Sequence, residues 1–114
     1  MIFLNGKFLA QRTTGVQRFA RGVVTALDRS LQLTPCGQDI ELLLPPSATT
    51  IEGLKVIRQR VIGKHGRSLT AWEQLELPRH TYSSTLLCLS GSAPLLARNC
   101  VTTIHDAAVY LYPQ

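Results

Sequence analysis

Three short segments of this sequence carry residues able to do chemistry. The first is Gln11-Arg12-Thr13-Thr14-Gly15-Val16-Gln17-Arg18, at the entrance to a long apolar periodicity. A helix that starts here leaves backbone N–H groups unpaired and holds a partial positive charge in its first turn. Gly15 has no side chain, so a phosphate could reach the backbone of Thr14, Gly15 and Val16. Arg12 and Arg18 would add charge. The same residues also describe an ordinary turn into a well-capped helix, because one glycine is far less than a glycine-rich phosphate fingerprint.

The second segment is His105-Asp106, directly after Val101-Thr102-Thr103-Ile104. An imidazole at a strand's end can donate or accept a hydrogen bond, and Asp106 could orient it. A histidine that merely caps the sheet fits equally well. The third is Trp72-Glu73-Gln74. It reads either as a polar wall of a cleft or as a short amphipathic helix with Trp72, Leu75 and Leu77 toward the core. His65 and His80 fall in turn-like stretches. No second His or carboxylate stands at metal-ligand spacing, so no metal is expected. Ser90-Gly91-Ser92 lacks the full frame of a nucleophile elbow.

The elements that must position these residues can be read from pattern. Residues 2–4 form a short apolar run ended by Asn5-Gly6, a strand followed by a loop, although a hairpin over 2–9 competes locally. A helix follows from about Gly15 to Leu31. Val16, Phe19, Ala20, Val23, Leu27 and Leu31 make its apolar face, and Gln17, Arg18, Arg21, Thr25, Asp28 and Arg29 its polar one. Thr14 and Gln17 form a capping box. Residues 40–44 are a second strand, stopped by Pro45-Pro46. Residues 54–62 read as a third, with Arg58 and Arg60 outward. Thr70 and Glu73 suggest another capping box, opening a helix that Pro78 ends. Residues 85–89 and 101–104 complete a β-α-β-β-α-β-β order. Near-continuous apolar strands alternating with helices predict an α/β, Rossmann-like, mostly parallel sheet covered on both faces. Ligands of such sheets collect beyond the carboxyl ends of the strands, where the first two segments fall.

Composition bounds the rest. The chain has 114 residues, 45% of them hydrophobic, enough for one small packed domain over 1–114. Its net charge of +5 favours anionic partners. No basic run or aromatic RNA-binding signature accompanies it, so nucleic acid is not expected. Cys36, Cys88 and Cys100 read as three isolated, buried thiols in a reducing compartment. No leader peptide or membrane-spanning run is apparent. The expected location is the cytoplasm, with the inner membrane surface as the furthest reach. The basic face Arg18, Arg21, Arg29 suggests an anionic membrane as a partner.

Together these segments resemble bacterial family-4 glycosyltransferases. Thr14-Gly15-Val16-Gln17-Arg18-Phe19-Ala20 resembles their T-G-V-x-R-[YF] segment. Trp72-Glu73-Gln74 with Leu77-Pro78 resembles their W-E-Q…L-P element, and Val101 to Asp106 their V-x-T-I-H-D strand end. The three occur in the family's order and cover essentially the whole chain. The resemblance implies the N-terminal half of a two-domain GT-B fold, incomplete at its C-terminal end and without the half that binds the nucleotide-sugar. It implies a metal-free, retaining transferase that moves a sugar to a glycan or lipid-linked acceptor in polysaccharide biosynthesis. It assigns Gly15, with Thr14 and Val16, to the donor diphosphate and His105 to the donor sugar near the reacting carbon. Arg18, Trp72, Glu73, Gln74 and Asp106 would lie on the acceptor side. The family's basic phosphate clamp and paired glutamates belong to the other half, so the isolated chain is expected to be inactive. The competing expectation is a non-catalytic Rossmann-like module that binds a phosphorylated ligand or a partner protein.

Overall fold

The computed structural model describes residues 1–12, 14–34, 39–64, 68–82, 84–89 and 99–102. The apolar run at the N-terminus forms strand β1 (Ile2–Asn5), and a 3₁₀ segment (Gly6–Ala10) follows it directly. The hairpin alternative is thus replaced by a tight turn. The side chain of Asn5 starts that turn by accepting the Lys7 N–H at 3.0 Å. Gly6 is obligatory for it. A Cβ there would collide with the carbonyl oxygen of Leu43 and stand 2.7 Å from Leu44 Cδ2.

Helix α1 (Gly15–Leu33) begins with the expected capping box. The Thr14 N–H donates to Gln17 Oε1 at 3.2 Å, and the Thr14 hydroxyl donates to the same oxygen. Strands β2 (Ile40–Leu44) and β3 (Arg58–Val61) come next. A second helical stretch runs through α2 (Leu69–Ala71), a π-helical segment (Trp72–Glu76) and α3 (Leu77–Thr81). Strands β4 (Thr85–Cys88) and β5 (Asn99–Thr102) complete the sheet. Its order is β3-β2-β1-β4-β5, and every pairing is parallel. The open, all-parallel sheet with helices on both faces is the Rossmann-like architecture the strand pattern predicted.

Period-2 alternation along the strands sorts the core into two layers. Leu4, Leu42 and Leu44 face α1 and pack with Ala20, Val24 and Leu31, joined by Phe8, Leu9, Ile51 and Ile57. Phe3, Leu43, Leu86 and Cys88 face the other way, onto Trp72 and Leu77. Burying these side chains is the main stabilising term, worth roughly 1.5–3 kcal/mol for each large one.

The structure revises several local expectations. Phe19, expected on the core face of α1, is exposed and Val24 is buried instead, and the last strand begins at Asn99 rather than at residue 101. The third strand starts at Arg58 rather than residue 54, because the N–H groups of Lys55, Val56 and Ile57 donate to Asp28 instead of to a strand. Asp28 accordingly leaves the polar face of α1 and is buried. Ser68, not Thr70, caps the second helical stretch, its Oγ accepting the Ala71 N–H at 3.0 Å. Pro78 does not stop that stretch. Proline has no N–H and its ring crowds the carbonyl four residues back. A π turn ahead of it, with the Leu77 N–H reaching Trp72 O, spaces the backbone so that helix continues to Thr81.

Candidate functional site

The sheet order places a topological switch point between β1 and β4, since the chain builds outward from β1 first on one side and then on the other. The crevice beyond the carboxyl ends of these two strands is where open α/β sheets take ligands. Hydrogen bonds join three elements there, the β1 end with its 3₁₀ turn, the β4 end and the π segment, and the β5 end lies beside that of β4.

The side chains at this rim form a buried polar cluster. Asn5 is 1% exposed and donates from Nδ2 to Glu73 Oε2 at 2.8 Å. Lys7 Nζ donates to Glu73 Oε1 at 3.2 Å. The Asn5 amide also reaches Cys88 Sγ at 3.5 Å, and Cys88 Sγ lies 3.6 Å from Cys100 Sγ. Each Glu73 oxygen thus has a donor, which offsets the desolvation of a carboxylate that is 2% exposed. Cys88 and Cys100 are therefore not isolated thiols. Burial pushes the Cys88 thiol up to about 12; the Asn5 amide works the other way, and the Cys100 and Glu73 neighbours add to the rise. At neutral pH it is a protonated, unreactive thiol.

The start of α1 presents a different surface. Thr14 and Gly15 are exposed and Val16 is half-buried. Nothing among the described residues lies within 4 Å of where a Gly15 Cβ would be, and Gly15 does not have a positive φ. Neither packing nor backbone conformation asks for glycine at this position, in contrast to Gly6. Gly15 leaves open space next to the unpaired N–H groups of a helix start.

The remaining candidate residues divide by location. Trp72 is interior, its indole N–H donating to Ile62 O at 2.9 Å, with Gly63 (φ +93°) folded against its ring. Glu73 is interior in the polar cluster and Gln74 is half-buried beside it in the chain. Leu75 is exposed, so the core side of this helix is Trp72, Glu73, Glu76 and Leu77 rather than Trp72, Leu75 and Leu77. Arg18 lies on the outer face of α1, lining a shallow groove with Arg21 and Arg29. His105 and Asp106, like His65 and Cys36, lie outside the described residues. β5, which leads to His105, runs parallel to β1, so its carboxyl end and the exit toward α1 are on the same rim.

Asn5 and Lys7 escaped the sequence reading. Their signal is slight: a polar pair closing an apolar strand looks like the beginning of any loop. Among the described residues no group of three His, Cys, Asp or Glu is placed to hold a metal ion. No helix among them is long and apolar enough to cross a membrane. Comparison with known proteins finds no matching family model, no matching curated protein and no matching solved structure.

Proposed function

We propose that this chain is the acceptor-side, N-terminal half of a glycosyltransferase that moves a sugar from a nucleotide-sugar to a glycan or lipid-linked acceptor. The observation that carries the reading is Gly15. It sits exposed at the start of the helix that follows β1, and no packing among the described residues asks for glycine there. A glycine at a helix start adds no side-chain contact to the fold, and close approach of a ligand to the backbone accounts for it.

In this reading the N–H groups at the start of α1 meet the donor diphosphate, and Gly15 keeps that approach clear of side-chain atoms. His105, held by Asp106, contacts the donor sugar. The buried cluster of Asn5, Lys7 and Glu73 has a supporting role. It ties the second helical stretch to the β1 end, which in this reading is the floor of the cleft. Stabilising the leaving diphosphate requires further positive charge, supplied by a donor-binding half, and such electrostatics are usually the largest catalytic term. The chain alone therefore binds weakly and does not turn over.

An amide-resolved NMR titration of the chain with a nucleoside diphosphate tests this. Shifts are expected at Thr14 to Arg18 and are expected to vanish in Gly15→Val. A transfer assay with nucleotide-sugar should show no product from the chain alone. Rapid transfer by the isolated chain, or shifts that ignore the α1 start, would contradict the proposal. Diphosphate binding unaffected by Gly15→Val would favour the phosphate-binding module instead.

A further inference from the structure

Cys88 and Cys100 meet through the sheet rather than along the chain. β4 and β5 run parallel, with Leu86 opposite Cys100 and Cys88 opposite Thr102. The two cysteines therefore differ by an even register step, which places both side chains on one face of the sheet. That face is the apolar layer built on Phe3, Leu43, Trp72 and Leu77. The two sulfurs stand 3.6 Å apart. A thiol in such a layer packs as a small apolar group. Two thiols in contact are also the two halves of a disulfide.

The pair is asymmetric. Cys88 is fully buried and Cys100 only half-buried. A small oxidant arriving from solvent meets Cys100 first. Burial keeps Cys88 protonated, so it is a poor nucleophile toward anything in solution. It needs no access to solvent to react with a sulfur already beside it. A disulfide bond is about 2.05 Å long, so the sulfurs must close by about 1.5 Å from their 3.6 Å separation. β5 can supply that movement. Among the described residues it is the outer strand, paired to β4 alone.

We propose that Cys88 and Cys100 are a peroxide-sensitive dithiol whose reversible disulfide pins the outer strand β5 to the interior strand β4. In the first step the Cys100 thiolate attacks one oxygen of hydrogen peroxide. The O–O bond breaks, hydroxide leaves, and Cys100 becomes a sulfenic acid. In the second step the Cys88 sulfur attacks the Cys100 sulfur. The S–O bond breaks, and the departing hydroxide takes the Cys88 proton as water. The pair loses two hydrogens and two electrons, and the peroxide becomes two waters. A dithiol reductant reverses the bond by exchange. The inference stands on β4 and β5 and does not depend on the transferase reading.

The test is to treat the folded chain with hydrogen peroxide, alkylate the remaining thiols and map the peptides by mass. A monomer lighter by two hydrogens is expected, linked between Cys88 and Cys100 and restored by dithiothreitol. Amides of residues 99–102 should exchange more slowly in the oxidised form. Dimedone, which captures sulfenic acids, should label Cys100 in Cys88→Ser and label it far less in the unsubstituted protein. Cys100→Ser should leave Cys88 a thiol. An unchanged thermal midpoint shows that each variant is folded, and the crosslink in the unsubstituted protein needs no variant. Oxidation that ends at a Cys100 sulfinic acid with Cys88 still a thiol overturns the proposal. So does a crosslink to Cys36 instead, equal dimedone labelling with and without Cys88, oxidation of Cys88 in Cys100→Ser, or a Cys88–Cys100 bond that leaves β5 exchange unchanged.

Discussion

Gly6 and Gly15 look alike in the sequence and are opposites in the structure. An alanine at position 6 would drive its Cβ into the Leu43 carbonyl and the Leu44 side chain. Gly6→Ala should lower stability by about 2–3 kcal/mol, the cost of overpacking a rigid site. Gly15→Ala meets open space and a compatible backbone. It should leave stability unchanged or raise it by about 0.5 kcal/mol, through the lower entropy of the unfolded chain. Urea midpoints of the two variants check the contrast, and equal losses would remove the reason to assign Gly15 to a ligand. Asp28 offers a second test. Burial acts to raise its pKa, but the N–H groups of Ile57, Lys55 and Val56 and the Gln32 amide outweigh it, pulling the carboxyl down from 3.8 to about 2. A pKa depressed in the folded state gives stability that is complete above the unfolded value and is lost as pH falls through the folded one. That contribution is about 2 kcal/mol. The pH profile of stability should therefore flatten between pH 4 and pH 2 in Asp28→Asn relative to the parent. Cys88, buried and protonated, should resist a thiol reagent until the protein unfolds.

Between residues and the whole lie the elements, and these differ in how much the sequence disclosed. α1 was legible in its cap and in part of its core face: Thr14 and Gln17 are local signals, and Ala20, Val23, Leu27 and Leu31 pack inward as the spacing suggested, but Phe19 is exposed and Val24 and Asp28 take core places instead. Asp28 was not, since its partners lie 27–29 residues away and nothing near it marks the polar face as interrupted. The same holds for Glu73, whose spacing from Thr70 imitates a cap but whose partners, Asn5 and Lys7, are 68 and 66 residues distant. The π turn that lets the helix pass Pro78 has no sequence signature of its own. Glu73 also yields a prediction at this scale. Replacing it with alanine leaves Lys7 buried without its carboxylate and should cost about 3–5 kcal/mol, whereas an apolar replacement of both should be much milder. Chemical denaturation of the single and double variants separates these outcomes. A mild Glu73→Ala would show that the cluster does not tie the second helical stretch to β1.

At the scale of the molecule, alternating helices and apolar strands disclosed a parallel sheet but not its order. The order matters because it decides which loops meet. β3-β2-β1-β4-β5 puts the switch point at β1 and sends the exits toward α1 and His105 to one rim. Among the described residues it also makes β1, β2 and β4 interior and β3 and β5 outer, so hydrogen exchange should be slowest in the first three. The shared rim is the claim on which the functional account rests. Its most direct test is paramagnetic broadening by a nucleoside diphosphate carrying a spin label. The account predicts that one bound probe broadens both the Gly15 amide and the His105 imidazole signals. Broadening of Gly15 with His105 untouched, or of neither, would contradict it.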